Sequence, residues 1–191
     1  MLITIEGVDG AGKTTLARGL AERLGAELLR EPGGVRLSER IRELVMDPSL
    51  DVDPRAEALL YAAARAQLVA ERLRPLLEAG ATVVLDRFVD SSLAYQGAAR
   101  GLGVEAVRAM NVLGVRPDVT FLLRIDPAVA RSRLLGVEQD RLEREPPAFF
   151  EAVAAAYDAL AAAEPERFRV LDATLPPDEL LSAALRALPE T

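Results

Sequence analysis

The feature that most narrows what this chain can fold into is its run Gly7-Val8-Asp9-Gly10-Ala11-Gly12-Lys13-Thr14, followed by Thr15. The pattern is a glycine, four residues, a glycine, a lysine, and a serine or threonine. It carries meaning only between a strand and a helix, where glycines let the backbone approach a polyphosphate and the first helical amides complete an anion cradle. Both flanks qualify. Leu2–Glu6 is a short apolar run that reads as a buried strand, and Thr14–Leu24 carries apolar side chains at helical spacing. Residues 7–15 are therefore the expected ATP cradle, with Lys13 reaching the β- and γ-phosphates and the Thr14 hydroxyl ligating Mg²⁺. Of 23 Lys and Arg residues, Lys13 is the only lysine. A compact ammonium is not interchangeable with a guanidinium fork, so its place in this slot argues for function over coincidence.

The rest of the chain continues the alternation. Glu27–Arg30, Thr82–Asp86, Val119–Ile125 and Phe168–Leu171 read as further strands. Helical periodicity covers Leu37–Met46, Pro54–Ala79, Val104–Leu113, Ala128–Leu135, Ala148–Ala163 and Asp178–Leu188. Near-continuous apolar strands separated by helices indicate a parallel sheet covered on both faces. The expected fold is thus α/β, a P-loop NTPase fold with a five-stranded parallel sheet sandwiched by helices, in a single domain over 1–191. Gly25 and Gly80 lie where helices should stop, Asp53-Pro54 has the form of an N-cap followed by proline, and Pro75 should kink or break its helix. The polar stretch Gly136–Pro147 is either a solvated helix–helix connection or a short mobile lid (about 136–147). As a lid, its arginines would gain partners only when phosphates arrive.

Composition closes off other chemistries. The chain holds 191 residues, 50% of them hydrophobic, enough for one substantial core. It contains no histidine and no cysteine, which removes the Ser-His-Asp triad, imidazole acid–base work and thiolate zinc sites. Carboxylates, arginines, hydroxyls, backbone amides and one lysine are left, a set suited to phosphate transfer, where positioning and charge neutralisation outweigh a strong base. A net charge of −7 argues against a nucleic-acid partner. No apolar run approaches the roughly eighteen residues of a membrane span, and the N-terminus has no basic leader, so no membrane association and a cytoplasmic location are expected. A guanine-reading N-K-x-D motif is impossible with the lysine already assigned. A motor ATPase would need a larger domain, whereas one compact domain with a candidate lid suits a nucleoside monophosphate kinase.

A more specific resemblance rests on ordered blocks: IEGVDGAGKTT at 5–15, REPGG at 30–34, Tyr61 through Arg65 to Gln67, and Val84-Leu85-Asp86-Arg87-Phe88. Ser91-Ser92-Leu93-Ala94-Tyr95-Gln96-Gly97, Arg116-Pro117-Asp118, Asp140-Arg141-Leu142-Glu143 and Leu171-Asp172-Ala173-Thr174 follow. Together they resemble the bacterial thymidylate (dTMP) kinase family along nearly the whole chain. The resemblance implies transfer of the γ-phosphoryl group of Mg-ATP to dTMP, serving dTTP synthesis, by a homodimer. It implies that Asp9 binds the acceptor 3′-hydroxyl, that Arg87 clamps the acceptor phosphate with Arg42 as a further contact, and that Asp86 orders a Mg²⁺-bound water. Tyr61 would lie under the thymine with Arg65 on its O4, and four-residue spacing does put these two on one helix face. Ser92 and Tyr95 would lie against the sugar. Arg141 is the best match for a lid arginine acting on ATP, with Arg131, Arg133 and Arg144 as further candidates. Independently, a carboxylate inside a phosphate loop is unfavourable alone, so Asp9 should have a partner. Departures are Val35 after REPGG, Tyr61 in place of the commoner Phe, and Gly10, which leaves the loop without the arginine some members carry. Outside this family, the residues alone also admit another P-loop kinase of a deoxynucleoside or small metabolite, or a non-catalytic nucleotide-binding regulatory module.

Overall fold

The computed structural model describes residues 1–136 and 139–189. In chain order the elements are β1 (Leu2–Glu6), α1 (Lys13–Leu24), β2 (Glu27–Arg30), α2 (Arg36–Met46) and α3 (Pro54–Leu68). A π-helical turn (Val69–Leu73) leads into α4 (Arg74–Glu78), then β3 (Val83–Asp86) and α5 (Val89–Ser92), which runs on as a π-helical stretch (Leu93–Ala99). α6 (Val104–Met110), β4 (Val119–Arg124), α7 (Pro127–Ser132), α8 (Pro147–Ala163), β5 (Phe168–Asp172) and α9 (Pro177–Arg186) complete the chain.

The strands form one parallel sheet in the order β2-β3-β1-β4-β5. β1 is the central strand and every one of its residues is buried. Its two polar residues, Thr4 and Glu6, are hydrogen-bonded within the interior, to Thr120 and to Ser91, as burial on both faces demands. Side-chain alternation aims Ile3 and Ile5 to one face, and Leu2, Thr4 and Glu6 to the other. In α1, Leu16, Ala17, Leu20 and Ala21 are buried, the i, i+4 stripe of a helix laid on a sheet. Gly25 then stops it at φ 59, a left-handed conformation that costs glycine nothing.

The expected punctuation is present. The Asp53 side chain accepts from the backbone N–H groups of Arg55 and Ala56, with Pro54 in the first turn of α3. The long predicted helix breaks immediately before Pro75, where the backbone passes through the π-helical turn. Proline has no N–H to bond back and its ring crowds the carbonyl four residues earlier, so the hydrogen-bond pattern must shift there. One helical stretch, 89–99, carries no periodic signal in the sequence. Ser91 through Gly97 are all buried, so there is no polar face to set against an apolar one.

Val137 and Glu138 of the 136–147 segment lie outside the described residues. Leu142 is only 7% exposed within the main core and Arg141 is held by protein partners, whereas Gly136, Arg144, Pro146 and Pro147 are exposed. Arg141 therefore has protein partners without phosphate.

Connections from β1 lead to one side of the sheet, via α1 to β2, and those from β3 lead to the other, across β1 to β4. The carboxyl ends of β1 and β3 therefore flank the point where strand order reverses, the place where open parallel sheets leave a crevice for ligands.

Candidate active site

A cleft of about 300 Å³ opens at that point, walled by the 9–15 loop, the ends of β2 and β3, α2, α3, the 91–96 helix and the 140–143 segment. The loop leaves β1 through Gly7, Gly10 and Gly12, all at positive φ. Gly10 has a second constraint, because a Cβ there would sit 2.2 Å from the Ala130 carbonyl oxygen. No side chain fits this backbone at position 10.

Lys13 begins α1 and is 7% exposed. Its Nζ donates to the Val8 carbonyl at 2.8 Å and lies 3.8 Å from Asp9 Oδ1. Burial, helped by the neighbouring Arg87 charge, lowers its pKa to about 8 against the pull of Asp9 and Asp86. Asp9 has the partner its position demands. It is ion-paired with Arg87 Nη2 and accepts from the Tyr95 hydroxyl at 3.0 Å. Burial alone would raise its pKa, but the Arg87 and Lys13 charges override that and hold it at about 2.

Arg87 follows β3 and, at φ 69, is the only non-glycine residue at positive φ among those described. The conformation is held from both sides. Its own N–H donates to Ile5 O at 3.0 Å, and that of Phe88 donates to Glu6 Oε1 at 2.8 Å. The guanidinium bonds Ser91 Oγ at 3.0 Å and Gly7 O at 3.2 Å, and lies 5.1 Å from the Tyr95 ring centre. Backbone strain of this kind persists only where the surroundings over-determine it.

The sequence reading overlooked Glu6. It is fully buried, and its carboxyl group holds the Phe88 N–H, the Ser91 hydroxyl at 2.6 Å and the Tyr157 hydroxyl at 2.9 Å. Burial and the adjacent Asp90 carboxylate raise its pKa to about 7. A lone charged residue at the end of an otherwise apolar strand was the available signal.

Thr14 Oγ1 donates to Asp86 Oδ2 at 2.6 Å. Among the described residues no group of three or more His, Cys, Asp or Glu side chains is arranged to hold a metal ion by itself. A hydroxyl and one carboxylate suit Mg²⁺, which keeps several waters and takes its other ligands from phosphate oxygens.

On the acceptor side Arg42, Tyr61, Ser92, Tyr95 and also Gln96 line the cleft. Arg42 Nη1 donates to Pro32 O at 3.1 Å. Gly7, Val8 and Ala11 of the expected cradle do not line the cleft, and neither do two expected arginines, Arg65 and Arg141. Arg65 is 1% exposed and is engaged by Glu31 Oε2 at 2.6 Å, Ser92 Oγ at 3.1 Å, Phe88 O at 3.0 Å and Asn111. Arg141 gives Nη2 to Glu57 at 2.6 Å and Nε to Val45 O at 2.9 Å. In both cases a fully or nearly buried carboxylate claims the arginine, since a charge withdrawn from water needs a counter-charge. Spacing along a helix or loop does not reveal such a claim. Of the candidate lid arginines, the one bonded to the phosphate loop is Arg133, which reaches Gly10 O at 3.3 Å and also Ala173 O at 3.0 Å. Arg131 lines a small neighbouring cavity and Arg144 is exposed. Glu31, at the cleft edge, keeps one oxygen, Oε1, buried without a partner among the described residues, and burial raises its pKa to about 7.

The family model described as thymidylate kinase matches residues 5–184. A thymidylate kinase of Deinococcus radiodurans is 48% identical over 199 residues, covering 100% of this chain and 97% of that one. One from Bacillus pumilus is 44% identical over 203 residues, covering 100% and 96%. The crystal structure of thymidylate kinase from Ehrlichia chaffeensis superposes with a TM-score of 0.82 at 29% identity, over 99% of this chain and 98% of that one.

Proposed function

This chain belongs to the thymidylate kinase family and phosphorylates dTMP with ATP, giving dTDP and ADP, and from that premise we propose what each group in the cleft does. Similarity over the full length disfavours a different P-loop kinase or a non-catalytic nucleotide module. The observation that carries the assignment of roles is the Arg87–Asp9 pair, set beside Lys13 and facing Tyr61, Ser92 and Tyr95 across one cleft.

The acceptor phosphate is already anionic, so no general base is required. The incoming phosphate takes the Arg87 fork, with Arg42 as a second contact, and Asp9 is released to accept the sugar 3′-hydroxyl. Arg87 thereby holds the attacking oxygen in line, and Lys13 neutralises charge on the β- and γ-phosphates as it spreads in the transition state. Residues 7–15 hold the triphosphate through backbone amides. Thr14 and Asp86 would hold Mg²⁺, which supplies further neutralisation between the phosphates when bound. Tyr61 stacks under the thymine, and Ser92 and Tyr95 crowd the sugar where a 2′-hydroxyl would sit. Arg65 acts on the base end through Ser92 and Glu31, and Arg141 braces the segment that covers the cleft and excludes water.

A homodimer working in the cytoplasm and supplying dTTP synthesis completes the proposal. Exposed Leu59 on α3, and Met110 and Val112 at the end of α6, support an interface, because α3 and α6 pack side by side. Light scattering at the 20.5 kDa monomer mass across micromolar concentrations would overturn it. Among described residues no helix is long and apolar enough to cross a membrane.

The assignment of roles is tested by ADP release with ATP and a panel of monophosphates. The expected order is dTMP, then dUMP, with UMP and dCMP poor. Equal use of UMP and dUMP would remove Ser92 and Tyr95 from the sugar site.

A further inference from the structure

Glu57 lies in the first turn of α3, completely buried and off the cleft wall. Its carboxylate receives Gln96 Nε2 at 2.8 Å, Arg100 Nε at 3.3 Å and Nη2 at 3.1 Å, and Arg141 Nη2 at 2.6 Å. Two arginines thus neutralise it, and Arg100 continues to Glu145 at 2.6 Å. Both carboxylate oxygens face guanidinium nitrogens, which can only donate, so Glu57 meets its neighbours as an acceptor. The Gln96 amide therefore has one permitted orientation, with its nitrogen toward Glu57. Its oxygen is left on the other side. Gln96 lines the cleft, and its Oε1 accepts no hydrogen bond from any described residue.

We propose that Glu57 is a positioning residue for nucleobase selection: it fixes the Gln96 amide so that the cleft presents an acceptor, which suits the N3–H of a thymine or uracil ring. Cytosine has a bare acceptor at N3, so the same oxygen opposes it. The inference rests on the reading of this cleft as the dTMP site. It places the selection in a carboxylate that touches no substrate.

Glu57→Gln tests it. Arg100 and Arg141 retain the new amide oxygen, so the new NH₂ faces Gln96, whose own amide must turn over and show NH₂ to the cleft. Expected are a lower kcat/KM for dTMP, mainly through KM, and a higher one for dCMP, compressing the preference by about tenfold or more. Arg141→Met leaves the Glu57 carboxylate with its Gln96 and Arg100 contacts, so it keeps the preference within about twofold of wild type. A Glu57→Gln protein that loses both substrates in equal proportion would make Glu57 a structural strut and overturn the proposal. So would an equal collapse of preference in Arg141→Met. If Glu57→Gln does not fold, Gln96→Met answers the same question, because full retention of the dTMP preference without the amide also overturns it. A wild-type enzyme indifferent between dTMP and dCMP would instead refute the reading of the base site itself.

Discussion

Replacing Lys13 by methionine should stabilise the ligand-free protein and abolish turnover together. The side chain is 7% exposed, and its pKa falls from 10.5 to about 8 on folding. That fall corresponds to about 3 kcal/mol by which the folded state disfavours the ammonium. The sign follows from where the proton goes. Below pH 8 both states carry the charge and the folded protein bears the whole penalty. Between about 8 and 10.5 the folded lysine is already neutral and the penalty fades, and above 10.5 it is gone. Methionine removes the charge at similar length but loses the hydrogen bond to Val8 O, worth about 1–1.5 kcal/mol. Val8 O is not orphaned, because Ala11 N still reaches it at 3.3 Å. The net gain at pH 7 is about 2 kcal/mol, or about 4–8 °C in Tm for a chain of this size. Thermal and urea unfolding at pH 7 and pH 10.5 measure it, and the gain should vanish at the higher pH. ADP release should fall by about 10²–10³-fold or more, since the charge acts on phosphate oxygens in the transition state. A methionine variant less stable than wild type at pH 7, or equally stabilised at both pH values, would refute the assignment of a desolvated, strained lysine. Such a lysine gives up stability so that phosphate finds an unshielded charge.

The same group predicts the alkaline limb of activity. kcat/KM for ATP should decline above pH about 8 as Lys13 deprotonates, while the limb in kcat lies higher because bound phosphates hold the proton; a flat kcat/KM profile through pH 9 contradicts this. Arg65→Met leaves the Glu31 carboxylate buried without its cation, costing about 3–5 kcal/mol at pH 8. At pH 5 the loss should shrink, because Glu31, with its pKa at about 7, is then protonated, and urea unfolding at the two pH values decides. Arg87→Ala should lower kcat for dTMP by about 10²–10³-fold. Initial rates within tenfold of wild type would remove the clamp.

Local signals carried much of the architecture. The strand–loop–helix around 7–14 was legible because its chemistry is contiguous: glycines, one lysine and one threonine must be neighbours to wrap a phosphate chain. The buried strands showed as apolar runs, and Asp53, Gly25 and Pro75 marked helix boundaries through backbone chemistry that acts within one turn. The helical stretch over 89–99 was not legible, because a helix buried on all sides has no hydrophobic stripe. Nor was the role of Glu6, whose partners Phe88, Ser91 and Tyr157 lie far along the chain.

The arginines divide the two levels most clearly. By itself the sequence determined that a triphosphate cradle begins at Gly7 and that cations must gather near it, and resemblance to relatives singled out Arg65, Arg87 and Arg141. Only the tertiary structure decided which of them face the cleft. Arg87 meets Asp9 there, whereas Arg65 and Arg141 are held by Glu31 and Glu57, carboxylates 34 and 84 residues away in the chain. A guanidinium goes to the nearest desolvated negative charge, and which charge that is depends on how the helices pack.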